Sequence, residues 1–433
     1  MPDQVVQFKV SPLARIILLL TMLLSLTAAW FVLRWYVGNT LAEYFNPENA
    51  RLQIAETAVS LAPSDPLTHW RLGDFIHKRL PPDQIPLAVA EFERAVSLSP
   101  RDYRYWTAWG QALEQAGEYE EAEKVLLEAV RLAPAYSFPR WHLGNLLLRR
   151  GRYEGAFSQL RQASEANEDL RPQLFAVAWQ VYGDDFEALQ TAVGNRADTR
   201  AQFALHLIQR SRFDEGLRVW NTLSDSEKKD HVSVADSLIA SLIASKRFRT
   251  AAELWNQIAP DATYRAEPGQ MVDPGLESDV SHTPSFLFGW QVPDVPEIQT
   301  GITTNMGHNS SRSLRMFFQV RSTVAPIAVT QLVIVQPNTS YSFECYTKTE
   351  NLISATTPAI IIEDAGDGAE LAASAKLPAG DTDWSQVSLS FKAGLKTEAI
   401  RVKIYRASCD QENPVCPIFG TVWYDNFALK SGN

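Results

Sequence analysis

Hydropathy divides the chain into three textures. Residues 16–33 form an uncharged apolar run of 18 positions; as a helix it would rise about 27 Å, the thickness of a bilayer core. Between about residues 46 and 261, apolar positions recur at helical spacing, and from Trp106 to Ala163 the pattern repeats with a period of 34 residues. Gly110, Gly117, Tyr119, Ala122, Leu126 and Ala129 return as Gly144, Gly151, Tyr153, Ala156, Leu160 and Ala163. From about Ala262 the helical period stops, and short alternating runs rich in Val, Ile, Ser and Thr stand between turn signals. These textures predict a membrane helix, an array of helical hairpins and an antiparallel β domain.

Within the array, small residues at Gly110 and Ala122 let two antiparallel helices approach closely, Leu126 fills the seam, and Gly117 breaks the chain between them. An earlier copy carries Trp70, Leu72 and Gly73, then Ala88, Phe92, Ala95 and Pro100, with a longer turn at 81–84. Residues 47–61 read as a capping helix. Beyond Asn167 the pattern decays, yet Phe186, Phe213 and Phe248 open candidate second helices, with Trp220 and Trp255 two turns further along. Five or six hairpins are expected, ending near Ile258 with Pro260 as the stop. The run of aromatic, Leu-Gly, Gly-x-Tyr, Ala, large apolar, Ala and closing Pro134 resembles the tetratricopeptide repeat.

That resemblance implies a curved solenoid that docks a protein partner and carries no chemistry of its own. Aligning Gly73, Gly110 and Gly144 places Trp70, Asp74, Thr107, Gln111, Trp141, Asn145 and Arg149 on the concave surface. Chaperone-binding members of the family clamp a carboxylate there with lysines and asparagines. Here Trp70, Thr107 and Trp141 stand where a lysine would be sought and only Asn145 fits, so an aromatic, mildly polar groove is expected instead. Packing between neighbouring helices is the other reading of Trp70 and Trp141.

Residues 262–284 read as a linker and 285–433 as the β domain. Strands are expected at 313–320, 329–335, 340–348, 359–363, 384–391, 399–406 and 420–429, which without long helices means an antiparallel sandwich. Ser313-Leu314-Arg315, Pro337 to Tyr341, Asp383-Trp384 and the closing Gly420 to Phe427 resemble jelly-roll carbohydrate-binding modules of the kind grouped as families 4 and 9. Alternation puts Leu314, Met316, Phe318, Phe343, Cys345, Val387, Leu389, Phe391, Val402 and Ile404 in the core. Arg315, Phe317, Glu344, Tyr346, Lys348, Arg401, Lys403 and Tyr405 then face outward, where aromatic rings beside charged groups suit a sugar. Strand preference alone also places aromatics on exposed faces. Asp425 shares parity with Trp423, Phe427 and Leu429, so an acid is expected inside, neutralised, hydrogen-bonded or cation-bound. In the resembling modules a carboxylate on the last strand often helps hold calcium, which makes a structural calcium one expectation.

Composition narrows the function. A formal charge of −10 with no Lys/Arg-rich run disfavours nucleic acid. Lys9 and Arg15 before the apolar run, with Trp30, Arg34, Trp35 and Tyr36 at its far end, suit a single span over about 16–37 with a cytoplasmic tail. A signal peptide cleaved near Thr27, Ala28 and Ala29 is the competing reading. Outside the cytoplasm Cys409 and Cys416 could pair, leaving Cys345 a buried thiol. No phosphate-cradling glycine loop, nucleophile elbow or zinc-binding His-Glu pair is present, so no catalytic residue is assigned. Glu363 with Asp383 is the one carboxylate pair weighed as a glycosidase dyad. By its architecture the chain resembles bacterial envelope proteins that assemble or export polysaccharide, at the inner membrane facing the periplasm or at the cell surface. Partners expected are the membrane, a protein, a polysaccharide and further copies of the chain; the alternatives are a self-associating surface protein that binds no sugar and a glycan-cleaving enzyme.

Overall fold

A computed structural model describes residues 11–44, 51–79, 81–278, 287–295, 298–323, 328–407, 409 and 416–432. Helices come first: α1 (Pro12–Glu43), α2 (Leu52–Leu61), α3 (Pro66–Arg79), α4 (Ile85–Leu98), α5 (Tyr103–Ala116), α6 (Tyr119–Leu132), α7 (Ser137–Arg149) and α8 (Tyr153–Ala166). They continue as α9 (Arg171–Tyr182), α10 (Phe186–Val193), α11 (Ala197–Gln209), α12 (Phe213–Trp220), α13 (Asp225–Asp230), α14 (Val232–Ala244) and α15 (Phe248–Ile258). By its contacts the chain divides into two compact units, Met1–Gly194 and Asn195–Asn433.

In the first unit, α1 is an apolar helix of 32 residues whose most apolar window has a mean hydropathy of 2.5 and no buried residue. It is the one helix long and apolar enough to cross a membrane among the described residues. Its last turns do something else: Gly38 and Ala42 are buried, and a Cβ on Gly38 would lie 2.7 Å from that of Ala62. The capping half-hairpin expected at 47–61 therefore has a partner, the end of α1; residues 45–50 lie outside the described residues. The following hairpins follow the periodicity. Gly110 and Gly144 admit Leu126 and Leu160, whose side chains would be 2.6–2.7 Å from any added Cβ. Gly117 and Gly151 end α5 and α7 with φ of 84° and 72°, a left-handed turn in which glycine carries no Cβ penalty. Arg149 reaches Glu114, and Arg150 reaches Glu120 and Glu123, on the preceding hairpin.

The second unit begins inside the helical region. Phe213 and Phe248 each open the second helix of a hairpin, and Trp220 and Trp255 are buried as their spacing predicts. Short α13, started by a Ser224–Glu227 capping box, was not foreseen. The β strands are β1 (Ile298–Thr303), β2 (Ser313–Thr323), β3 (Ala328–Ile334), β4 (Ser340–Ser354), β5 (Ala359–Asp364), β6 (Glu370–Ala373), β7 (Gly380–Lys392), β8 (Ala399–Tyr405) and β9 (Pro417–Ser431). Seven coincide with the runs read from alternation. Missed were β1, interrupted by Gly301, and β6, four residues rich in helix formers. All ladders are antiparallel, in a five-stranded sheet of order β1-β2-β9-β4-β7 and a four-stranded sheet of order β3-β8-β5-β6. Leu314, Met316, Phe318, Phe343, Cys345, Phe391, Val402 and Ile404 from both sheets share one apolar core, with Val387 and Leu389 at its margin.

The expected linker is a correction. Met271 and Leu276 belong to that core. Backbone bonds from Gly269 to Ile334 and from Phe427 to Pro274, and a side-chain bond from Gln331 to Val272, tie this stretch to the sheets. Asn256 brackets the backbone of Ala266, and the Trp255 indole donates to Tyr264 at 2.6 Å. Glycines and prolines here mark irregular backbone that Met271 and Leu276 anchor to the core, while much of 262–270 stays exposed. The expected boundary at 284/285 lies outside the described residues.

Candidate functional site

Two recesses correspond to the two surfaces read from the sequence. In the first unit, α3, α5 and α7, with Phe92 from α4, line a recess of about 510 Å³ with Trp70, Asp74, His77, Lys78, Tyr103, Arg104, Ala108, Gln111, Phe138 and His142. Of the seven predicted groove residues only Trp70, Asp74 and Gln111 are among them. Thr107 is fully buried, on the face of α5 that it shares with Gly110 three residues later, and it returns its hydroxyl to Tyr103 O. Trp141, Asn145 and Arg149 do not line the recess; Asn145 bonds Trp141 O and Arg149 pairs with Glu114 at 2.7 Å. Asp74 is paired with Lys78 at 2.9 Å. Gln111 donates to the His142 ring at 2.8 Å, and burial with Arg149 nearby pushes His142 down to about 4, so it is neutral at pH 7. The recess is thus walled by aromatic rings and the imidazoles of His77 and His142, with the Asp74–Lys78 pair and the Arg104 guanidinium also in its lining.

In the second unit, the outer face of the five-stranded sheet carries a polar recess of about 530 Å³. Strand register builds it: Arg315 stands between Gly301 and Trp423, Phe317 between Gln299 and Thr421, and Trp423 and Thr421 are followed across β4 by Lys348 and Glu350. Thr303, Asn305, Met306, Asn351, Phe419 and Gly420 complete the lining. The Arg315 guanidinium lies 4.8 Å from the centroid of the Phe317 ring. A recess of about 390 Å³ along β1 shares Thr303, Asn305 and Arg315 with it.

The predicted outward set is only partly brought together. Arg315 and Phe317 line the recess, and Lys348 adjoins it, paired with Asp383 at 3.2 Å. Glu344 lies further along β4 with Lys430 at 3.0 Å. Tyr346 has one face covered by His308, stacked at 3.7 Å between centroids, and stays partly exposed. Arg401, Lys403 and Tyr405 are on β8, in the other sheet, where Lys403 pairs with Glu363 at 2.7 Å. Glu363 and Asp383 likewise belong to different sheets, and each is engaged by a lysine.

Asp425 and Trp423 correct the parity argument. Val422, Tyr424 and Phe427 enter the core, and Asn426, at φ 51°, breaks the alternation where the β4–β9 register shifts. Trp423 therefore belongs to the outer recess, and reading an unbroken strand hid it. Asp425 is buried beside the 304–312 loop. Its carboxylate accepts from the backbone of His308 and Asn426, each at 2.6 Å, and from Ser310 at 3.3 Å. Burial raises its pKa against the pull of those donors. Such N–H groups point at the oxygens a cation would need, and the described residues hold no group of three or more His, Cys, Asp or Glu placed for a metal; these residues do not fit calcium at Asp425. Cys409 and Cys416 are disulfide-bonded and Cys345 is buried with its thiol pushed up.

Comparison with known sequences places the tetratricopeptide repeat at residues 83–137. A TPR repeat-containing thioredoxin, TTL4 of Arabidopsis thaliana, is 44% identical over 69 residues, 16% of this chain and 10% of that protein. The chain thus spans about a tenth of that relative's length. Among solved structures, YrrB, described as a TPR protein with an unusual peptide-binding site, is 18% identical, covers 49% of this chain and 95% of its own, and superposes with a TM-score of 0.26. PilF of Pseudomonas aeruginosa is 16% identical, covers 54% and 94%, and scores 0.30. Likenesses this loose carry no argument about the recess. The helical region carries tetratricopeptide repeats, a scaffold for protein interaction.

Proposed function

We propose that this protein is a membrane-anchored scaffold facing away from the cytoplasm, whose repeats dock a protein partner and whose β domain, of jelly-roll type, holds a saccharide for the assembly or export of an envelope polysaccharide. The observation that carries the saccharide reading is the recess around Arg315, Phe317, Trp423, Glu350 and Asn305. The part-exposed Phe317 ring beneath Arg315 and the small exposed part of the otherwise buried Trp423 offer apolar surface to the C–H side of a sugar, while guanidinium, carboxylate and amide meet its hydroxyls. Support for the protein-docking reading is the ring-walled recess of α3, α5 and α7, which offers an apolar side chain a desolvated seat beside the Asp74–Lys78 pair. No catalytic role is proposed.

The test is a glycan panel presented to the full chain in detergent, with Arg315→Ala, Trp423→Ala and, on the other sheet, Tyr405→Ala. Saturable binding lost in the first two and kept in the third supports the reading. No binding on a panel spanning envelope and capsular polymers sinks it and leaves a structural or self-associating surface protein.

A further inference from the structure

The end of α1 fixes how the first unit stands on a bilayer. Arg34 donates to Ser60 O at 2.5 Å, Asn39 to Asp65 at 2.6 Å and Arg71 to Ala42 O at 3.0 Å. These bonds make α2 return toward the apolar run and α3 leave it again, side by side with α1. Gly38 is five residues beyond Leu33, about 7.5 Å of helix rise, and the α2–α3 turn packs there. A headgroup layer is roughly 5–8 Å thick on each side of the hydrocarbon core. The turn therefore stands at the level of the headgroups if α1 crosses the bilayer.

Hairpin alternation carries that level along the array. Each second helix runs back toward the same edge, so the α4–α5 and α6–α7 turns follow the α2–α3 turn. Side chains hold the edges in step: Trp70 meets Tyr105 and Tyr103 meets Tyr136, with ring centroids 6.0 and 5.0 Å apart. At the opposite edge Arg149 meets Glu114.

The two edges differ in chemistry. On the α1 side the fourth turn, between α8 and α9, carries exposed Glu168 and Asp169, whereas the first three read Ala-Pro-Ser-Asp-Pro, Ser-Pro-Arg-Asp-Tyr-Arg and Ala-Pro-Ala-Tyr-Ser-Phe, without a glutamate. Their two acids are engaged, Asp65 by Asn39 and Asp102 by Arg104, while Tyr136 and Phe138 are 57% and 54% exposed. On the opposite edge Glu118 and Glu154 are exposed, beside the exposed carboxylates of Glu120 and Glu121 that pair with Arg150 and Lys124. Aromatic rings and arginines settle at a headgroup layer, and exposed carboxylates are repelled by an anionic one.

We propose that the α2–α3, α4–α5 and α6–α7 turns lie along the headgroup surface of the membrane that α1 enters, so that this edge of the repeats has a lipid partner and the groove is held at a set orientation to the bilayer. The proposal rests on the membrane-anchor reading, and its test separates the two.

The full chain is placed in nanodiscs of phosphatidylcholine with a minority of phosphatidylglycerol, labelled with bimane at Ser64→Cys, Arg101→Cys or Tyr136→Cys on the α1 side and at Glu118→Cys or Glu154→Cys opposite. Cys345 is buried and Cys409 is bonded to Cys416, so the introduced thiol is the reactive one. With a lipid carrying a headgroup nitroxide, emission falls by about half at Ser64 and Arg101 and less at Tyr136, as the thin headgroup layer requires, and is unchanged at Glu118 and Glu154. Equal quenching of both edges, or none at Arg101 and Tyr136, overturns the proposal. Alkaline carbonate extraction of cell membranes tests the anchor: a chain that washes off ends both readings, while a retained chain with Arg101 and Tyr136 unquenched ends this one alone.

Discussion

Exchanging a glycine and a leucine across one hairpin seam tests the packing that gives the repeat its period. A Cβ at Gly110 would stand 2.6 Å from Cγ and 2.7 Å from Cδ2 of Leu126, which is fully buried. Gly110→Ala alone suffers overpacking of about 1–3 kcal/mol, of which helix propensity returns ~1 kcal/mol. Leu126→Ala alone loses about 2–5 kcal/mol to transfer and cavity. In the double variant the clash is gone, the propensity gain stays and the added methyl enters the vacated space. It is therefore less destabilised than the sum of the singles by about 1–3 kcal/mol. Native-state hydrogen exchange on peptides from α5 and α6, in the full chain in detergent, reads the local opening energy without assuming that the whole chain unfolds in one step. Gly144 and Leu160, with both distances at 2.7 Å, form a replicate of the cycle. Additivity within about 0.5 kcal/mol at both sites would refute the claim that these glycines exist to admit these leucines.

Three further outcomes are expected. His142 is held at about 4 in the folded chain; as pH falls below about 6.5 the unfolded chain takes a proton that the folded one refuses, so stability drops by about 2 kcal/mol by pH 5. His142→Gln removes that contribution in urea titrations compared at neutral and mildly acid pH, while His206, also held at about 4, adds a loss of its own in both variants; an unchanged difference would count against the assignment. Asp425→Ala leaves the part-buried amides of His308 and Asn426 without their acceptor, at about 1 kcal/mol each, and should speed exchange across residues 304–312; unaltered protection there would show that the carboxylate does not hold the loop. Reducing Cys409–Cys416 releases a closed loop with a sequence separation of 7 and lowers the stability of the sheets by about 2.5 kcal/mol on the chain-entropy account, with the far-ultraviolet signal of the helices unchanged on a mild melt; equal melting with and without reductant would contradict it.

Legibility followed the range of the interactions. Phe186, Phe213 and Phe248 announced α10, α12 and α15 because a hairpin is built from contacts near in sequence, and its period survives when its consensus fades. The concave surface was read less well. Trp70, Asp74 and Gln111 were found by aligning glycines, but His77, Tyr103 and Phe138 enter from helix ends and His142 from the middle of α7, at positions the alignment did not pick. On the sheets, alternation assigned the core correctly until Asn426 took a positive φ; one residue of bulge sent Trp423 outward and Phe427 inward.

What the sequence determined by itself is local: an apolar helix of membrane length, the repeated hairpins, most of the strands and which of their faces is apolar. Periodicity writes these into neighbouring residues. Only the tertiary structure decided that Arg315 and Phe317 share a recess with Trp423 while Arg401 and Tyr405 lie in the other sheet, because strand order is set by pairings far apart in the chain. It also decided that the stretch expected to be a linker packs into the core, and that α1 is at once the apolar helix and half of the first hairpin. Those outcomes depend on which buried surfaces meet, and hydropathy along a single strand or helix carries no record of its partner.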